Sequence, residues 1–337
     1  MLGVVATDAA GKTVYVKANK AVLLGAGGFD YNEDMKNRYL DIPSPCSLMV
    51  PTCKGQGIRM AQGVGADLTL MNYGWGNVAY KQVGEQAYAD RIVTTDIAPL
   101  AYQCDTSSMW INQHGRRFCD EAAHYDSFWH GFSSWREVTG DMNHINIPAW
   151  YVCDQGNRDR LDSDAGIGCA DSAGSLWGIR ASAKPPEWII QADTLEELGE
   201  KMGFDELGIK NFVAQVARFN KYAAEGREPE FHRGESAWDQ GGPERPDDCL
   251  EPLLKPPFYA AEIVPFLQGT KGGPRINEKG QVLHVSGDVV PRLYACGNNA
   301  GCGAPGRYYN GAGGSVGPGM VFSCIAAMSA AQLDSWR

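Results

Sequence analysis

Residues 3–6 and 13–17 are valine-rich stretches on either side of Ala10-Gly11-Lys12, which predicts two short strands joined by a turn. Lys20-Ala21-Val22-Leu23-Leu24 then runs directly into Gly25-Ala26-Gly27-Gly28, the pattern of a buried strand ending in a glycine turn. The polar stretch from Asn32 to Leu40 predicts a helix. Another helix follows Lys54-Gly55-Gln56-Gly57, with Ile58, Ala61 and Val64 on helical spacing and Gly65 as the stop.

From Tyr73 the pattern weakens and tryptophan becomes frequent, at positions 75, 110, 129, 135, 150, 177, 188 and 238. This shift marks a second domain. Inside it, Asp193 or Thr194 can cap a helix whose first turn carries Glu196 and Glu197. Phe212 to Tyr222 repeats apolar residues at helical spacing, and the Pro-, Gly- and charge-rich stretch 226–257 reads as an irregular return linker. Strand patterns resume after Phe258 and recur at 282–285 and 292–296. Residues 297–319 are dense in glycine, and Met320 to Trp336 predicts an apolar helix. The expected fold is α/β: residues 1–72 and 259–337 form one discontinuous domain, and residues 73–258 form an inserted α+β domain.

A chain of 337 residues with 44% hydrophobic and 21% charged residues is long enough for two domains with large cores. Its net charge of -10 disfavours nucleic acid and anionic membrane as partners, since both call for a basic face. The ten cysteines contain no C-x-x-C pair and match no zinc or iron–sulfur spacing, so no metal is expected and reduced, buried thiols in the cytoplasm are. Residues 1–10 lack the features of a signal peptide, and no apolar run reaches the roughly 18–20 residues of a membrane span.

The strongest chemical signal is Leu293-Tyr294-Ala295-Cys296-Gly297-Asn298-Asn299-Ala300-Gly301, followed by Tyr309-Asn310-Gly311-Ala312-Gly313-Gly314-Ser315-Val316-Gly317-Pro318. A strand ends in a glycine turn, and a second glycine run opens a helix. Glycines allow close backbone approach to a ligand, and a helix N-terminus adds partial positive charge. Such a site suits a ring carbonyl that becomes anionic on reduction. On composition alone, a glycine-rich surface loop is an equal reading.

These residues resemble the C-terminal flavin-binding part of the fumarate reductase / 3-ketosteroid dehydrogenase superfamily of FAD enzymes. Further blocks occur in the order that superfamily uses: Val22 to Asn32, Ile111 to Glu121 (INQHGRRFCDE), Ile147 to Asp154, and Gly269 to Gly273 (GTKGG). Asp193 to Phe231 resembles its capping-domain helices. The resemblance implies that the discontinuous domain binds FAD, lined by Gly27, Gly28, Gly297, Asn298, Gly314, Ser315 and Val316. Members of that superfamily begin with a G-x-G-x-x-G turn for the FAD pyrophosphate, and these residues contain none. The expectation is a fragment or one half of a split protein that binds FAD weakly by itself, with a separate chain as a possible source of the missing segment.

The resemblance also implies the chemistry. Tyr309 and Gly313 take the spacing of a tyrosine and a glycine that donate to a substrate ketone oxygen. Tyr125 takes the place of a tyrosine that removes a proton beside that ketone, which requires help because free tyrosine has a pKa of about 10. His124 reads as a surface or structural residue. Fumarate reductases carry H-x-T-x-G-G where this chain has Gln268-Gly269-Thr270-Lys271-Gly272-Gly273, and an arginine near Tyr309. The exchange favours a neutral, steroid-like ketone over a dicarboxylate, which needs cations. Thr270 and Arg307 are candidate substrate contacts, and Lys271 has no assigned task. The expected reaction is 1,2-desaturation of a 3-ketosteroid or the reverse enone reduction, with an external electron acceptor or donor. The alternatives are a fumarate- or urocanate-type reductase using Arg307 or Arg117, and an inactive remnant with an exposed apolar patch.

Overall fold

The computed structural model describes residues 1–92, 107–138, 141–163, 185–236, 239, 249–301 and 313–336. In chain order, β1 (Gly3–Thr7) and β2 (Thr13–Lys17) form a hairpin, followed by β3 (Val22–Leu24), α1 (Glu33–Tyr39), β4 (Cys46–Ser47), α2 (Gln56–Gln62), β5 (Leu68–Thr69), β6 (Gly74–Tyr80) and α3 (Lys81–Ala89). Next come β7 (Ser108–Asn112), α4 (Tyr125–His130), β8 (Trp135–Val138), β9 (Asp141–His144), β10 (Ala149–Asp154), α5 (Gln155–Ser163), β11 (Ile190–Ala192), α6 (Leu195–Lys201) and α7 (Glu206–Glu225). The last part holds β12 (Phe258–Thr270), β13 (Gly273–Pro274), β14 (Gln281–Leu283), β15 (Val289–Ala295) and α8 (Val316–Ala331). This is an α/β protein.

The chain divides into two compact units. One comprises Met1–Pro43, Met49–Trp75 and Leu267–Arg337; the other comprises Ser44–Leu48 and Gly76–Phe266. In the first, β14, β15 and β3 form a sheet in that order, and β15 runs parallel to β3 with Leu293 opposite Val22 and Ala295 opposite Leu24. Leu24, Ala61, Val282, Val290, Leu293 and Ala295 make its core. A second cluster, Phe29, Met35 and Ile58, lies under α1 and α2. Helix α1 starts where Asn32 accepts from the Met35 N–H, with Glu33 and Asp34 in the first turn against the helix dipole.

In the second unit β12 is the central strand: it pairs with β10 and β11, and β4 and β6 also pair with it. Met109, Ile111, Trp150 and Val152 from its sheet meet Leu198, Phe212, Val216 and Phe219 from α6 and α7 in one apolar cluster. Each such fully buried side chain contributes about 1.5–3 kcal/mol. Thr194 caps α6 by accepting from the Glu197 N–H, and Glu197 accepts from the Asp193 N–H. The Glu197 carboxylate thus reaches the N–H one residue before the cap, a shifted form of the capping box.

Two helices differ in extent from the sequence expectation. Helix α7 begins at Glu206, because Asp205 accepts from the Gly208 N–H and caps a polar first turn that carries little periodicity. Helix α8 begins at Val316 rather than Met320. Pro318 sits in its first turn, where a missing N–H costs nothing because no intrahelical acceptor exists there. Val316, Met320, Val321 and Met328 of α8 are exposed, as are Val5, Tyr15 and Val16 of the hairpin. Among the described residues no helix is long and apolar enough to cross a membrane.

Candidate cofactor and active site

The parallel pairing of β3 with β15 sets two glycine turns side by side. The Cys296 N–H extends the pairing by donating to the Leu24 carbonyl at 3.0 Å. Gly25 to Gly28 leaves the carboxyl end of β3, and Gly297 leaves that of β15. In α/β sheets, ligands bind outside the carboxyl ends of the strands. Gly27 has φ 74°, and a Cβ at Gly28 would lie 2.0 Å from Thr270 Oγ1. The Phe29 N–H donates to that hydroxyl at 3.0 Å. Thr270 is therefore fully buried and braces the first glycine turn.

Two adjacent asparagines tie the turns together. Asn299 Oδ1 accepts from the Ala26 N–H at 3.1 Å, and Asn298 Oδ1 accepts from Ser315 Oγ at 3.1 Å. The Nδ2 atoms of both are buried and find no acceptor among the described residues. A buried donor without an acceptor is costly, so each calls for an oxygen-bearing partner. Asn299 was not singled out from the sequence; no local signal separates it from Asn298.

Ser315 precedes α8 without capping it through its side chain, because its hydroxyl is turned to Asn298. The Gly317 N–H donates to the Gly313 carbonyl at 2.7 Å and Pro318 has no N–H, so a ligand at this helix end would meet the amides of Ser315 and Val316. The backbone of α8 comes close to the second turn through a pair of glycines: a Cβ at Gly319 would lie 3.5 Å from Gly297 Cα. Gly313 has φ 85°, and no described heavy atom lies within 4 Å of its Cβ position. Gly314, Ser315 and Val316 follow directly. Arg307 and Tyr309 lie outside the described residues.

In the other unit, Tyr125 opens α4, and its side chain also lies outside the described set. The chain on either side of it is firmly held. Glu121, fully buried, accepts from the Trp110 N–H of β7 at 3.0 Å, from Arg117 Nε at 2.8 Å and Nη2 at 2.6 Å, and from Arg233 Nη1 at 3.2 Å. Asp126 accepts from the Gly76 N–H of β6 at 3.2 Å. The Trp129 ring covers Gly76 so closely that a Cβ there would fall 1.9 Å from it. Two buried carboxylates therefore clamp the backbone of Tyr125 to two strands. His124 is structural: its Nδ1 accepts from the Asp126 N–H at 3.3 Å.

Arg116 is exposed, whereas Arg117 is buried among Glu121, Glu228 at 3.4 Å and Glu230 at 3.9 Å, and stacks on Phe219 and Phe231. Arg117 is thus engaged within the protein by buried carboxylates. Burial opposes the charge on Glu121, but Arg117 and Arg233 overcome it and hold that carboxyl below its usual range. Burial first, then the charges of Asp239 and Glu121, push Asp120 up to about 7. Cysteines 46, 53, 119, 153, 249, 296 and 324 are free thiols, and no described cluster could hold a metal ion.

A family model described as an FAD binding domain matches residues 1–316. The 3-oxosteroid 1-dehydrogenase of Mycolicibacterium smegmatis is 35% identical over 94% of this chain and 53% of its own length. The 4-oxocyclohexanecarboxylate 2-dehydrogenase of Sinomonas cyclohexanicum is 31% identical over 94% of this chain and 52% of its own. Among solved structures, the 3-ketosteroid delta1-dehydrogenase of Sterolibacterium denitrificans, in complex with 1,4-androstadiene-3,17-dione, superposes with a TM-score of 0.80 at 29% identity, over 98% of this chain and 56% of that one. The chain spans about half the length of the curated relatives it matches.

Proposed function

This chain belongs to the family of FAD-binding flavoprotein domains, and from that premise we propose that it is part of a 3-ketosteroid 1-dehydrogenase-like enzyme acting on a cyclic ketone. The observation that carries the reading is the second glycine turn. It sets Asn298, Ser315 and the open end of α8 together, directly after Gly313.

The residues present fit the cofactor. FAD offers phosphate, hydroxyl and carbonyl oxygens, acceptors of the kind that the buried Nδ2 atoms of Asn298 and Asn299 do not find among the described residues. Gly27 and Gly28 let the first turn pack tightly on Cys53 and Thr270, the Cβ position of Gly297 meets only Gly319 Cα at 3.8 Å among the described residues, and the amides of Ser315 and Val316 favour negative charge. When bound, FAD supplies the two-electron acceptor or donor. The Tyr309 hydroxyl and the Gly313 N–H donate to the ketone oxygen and stabilise the enolate character that develops there, each such donor being worth about 3–4 kcal/mol. In desaturation Tyr125 takes a proton from the carbon beside the ketone, while the neighbouring carbon gives up a hydride. Glu121 and Asp126 hold Tyr125 in place.

Names of relatives support the substrate class. A 3-oxosteroid and a 4-oxocyclohexanecarboxylate share a six-membered ring ketone. With Arg117 committed to Glu121, an unsaturated dicarboxylate has lost one of its expected partners. Seven described cysteines without a disulfide support a reducing compartment, such as the cytoplasm, for the enzyme. An external electron acceptor closes the cycle, and further chain, linked or separate, covers the exposed apolar residues of α8.

The test is turnover of the full-length, FAD-loaded protein on a steroid 3-ketone with an artificial electron acceptor, beside fumarate and urocanate with a reduced viologen. Steroid desaturation is expected, with kcat/KM falling about 100-fold in Tyr309→Phe. Turnover of the acids alone, or an unchanged Tyr309→Phe, would sink the reading.

A further inference from the structure

Lys271 interrupts a glycine block, and nothing in the reaction described so far uses it. It directly follows β12 and is 1% exposed. Its Nζ lies 4.2 Å from the centre of the Trp75 ring. Its backbone N–H donates to the Tyr73 carbonyl at 2.9 Å, so the main chain holds the ammonium and the indole in register.

That pair is joined to the second glycine turn. Gly269, two residues earlier, has φ 143°, and a Cβ there would lie 2.5 Å from Asn298 Nδ2 and 2.9 Å from Trp75 Cδ1. Trp75 thus lies beside Lys271, and both Trp75 and Asn298 crowd the Cβ position of Gly269. Asn298 in turn accepts from Ser315 at the start of α8. The buried ammonium thus lies in the same neighbourhood as Asn298, one of the residues proposed to hold the flavin.

Burying an ammonium is costly unless something answers its charge. The indole face answers part of it. Asp30 of the same unit is also buried, with its Oδ2 3.0 Å from the Cβ position of Gly28. Reduction of an isoalloxazine by two electrons and one proton leaves one negative charge on the ring. In a site of low dielectric, a fixed cation lowers the free energy of that anion more than that of the neutral oxidised ring.

We propose that Lys271 is a positioning cation for the cofactor: it stabilises the anionic reduced flavin and so sets how readily the bound FAD accepts electrons. The proposal rests on the assignment of the two glycine turns as the FAD cradle, and adds to it a control of redox poise that is independent of the substrate.

The experiment is a reductive titration of the FAD-loaded protein with dithionite against a reference dye. Lys271→Met is expected to disfavour reduction at least tenfold, about 30 mV for a two-electron couple. Lys271→Arg, which keeps the charge, should stay within threefold of the parent. Sulfite, which also leaves negative charge on the ring, should bind the Met variant about tenfold more weakly. If Lys271→Met releases FAD, Lys271→Gln carries the same test. The ratio of affinities for oxidised and reduced FAD gives the same quantity for any folded variant with weakened binding. A potential and sulfite affinity equal to the parent's overturn the proposal. Loss of steroid turnover without a redox shift also counts against it and leaves the functional reading standing; a redox shift in a protein inactive on ketones does the reverse.

Discussion

At the scale of single residues, Gly28 shows how little freedom the cradle has. Its Cβ position is 2.0 Å from Thr270 Oγ1 and 3.0 Å from Asp30 Oδ2. The hydroxyl cannot retreat without releasing the Phe29 N–H that it accepts from. Gly28→Ala should therefore destabilise the protein by about 1–3 kcal/mol, the usual cost of overpacking. It should also weaken FAD binding, read together by thermal unfolding and flavin fluorescence. Gly313→Ala differs in kind: there the obstacle is the left-handed backbone at φ 85°, with open space among the described residues. A normal melting temperature and normal flavin content in Gly28→Ala would show that Thr270 does not brace this turn.

At the scale of elements, the segment leading into α4 is fastened by charge rather than by apolar packing. Arg117, Glu121, Arg233 and Glu228 are all buried, and the backbone N–H groups of Glu230 and Phe231 donate to Glu228. Removing one charge strands the others. Glu121→Gln should cost about 3–5 kcal/mol in urea unfolding. Replacing Arg117 as well, as in Arg117→Met with Glu121→Leu, should recover part of that loss, since a hydrophobic pair of similar volume often matches a buried ion pair. A Glu121→Gln protein as stable as the parent would mean that the cluster is not a clamp for Tyr125. Arg117 reads from the sequence as a possible contact for an unsaturated acid because Glu228 and Arg233, which complete its buried cluster, lie more than a hundred positions away.

At the scale of the whole molecule, Asp120 couples stability to pH. Its carboxyl, pushed up to about 7 by burial and by the charges of Asp239 and Glu121, prefers to stay protonated when folded, despite Arg233 nearby and the Ala122 N–H that donates to it. The folded state then holds the proton more tightly than the unfolded chain, whose aspartate titrates near 4. Stability from this group is present below about pH 4 and declines as pH rises toward about 7. Asp120→Asn keeps an oxygen for the Ala122 N–H and removes the titration. Its gain in melting temperature over the parent should be larger at pH 8 than at pH 5. An equal gain at both values would place the proton elsewhere. Glu121, held low, acts in the opposite sense: its contribution is present near neutral pH and lost as pH falls through its lowered range.

Local chemistry alone was enough to mark out much of this protein. Valine runs beside glycine, Asn32 and Thr194 ahead of acidic first turns, and a glycine-dense C-terminal stretch each carry their conformational preference in neighbouring residues, and the corresponding elements are present. What only the tertiary structure decided is pairing across distance. The parallel match of Leu293 to Val22 brings two glycine turns together, Thr270 braces Phe29 from 241 positions away, and Asn299 rather than Asn298 reaches Ala26. The physical reason is the same each time: a turn or a cap is settled by forces within a few residues. Which donor ends up buried, and which charge is left to act on a ligand, depends on which distant segments exclude water from it.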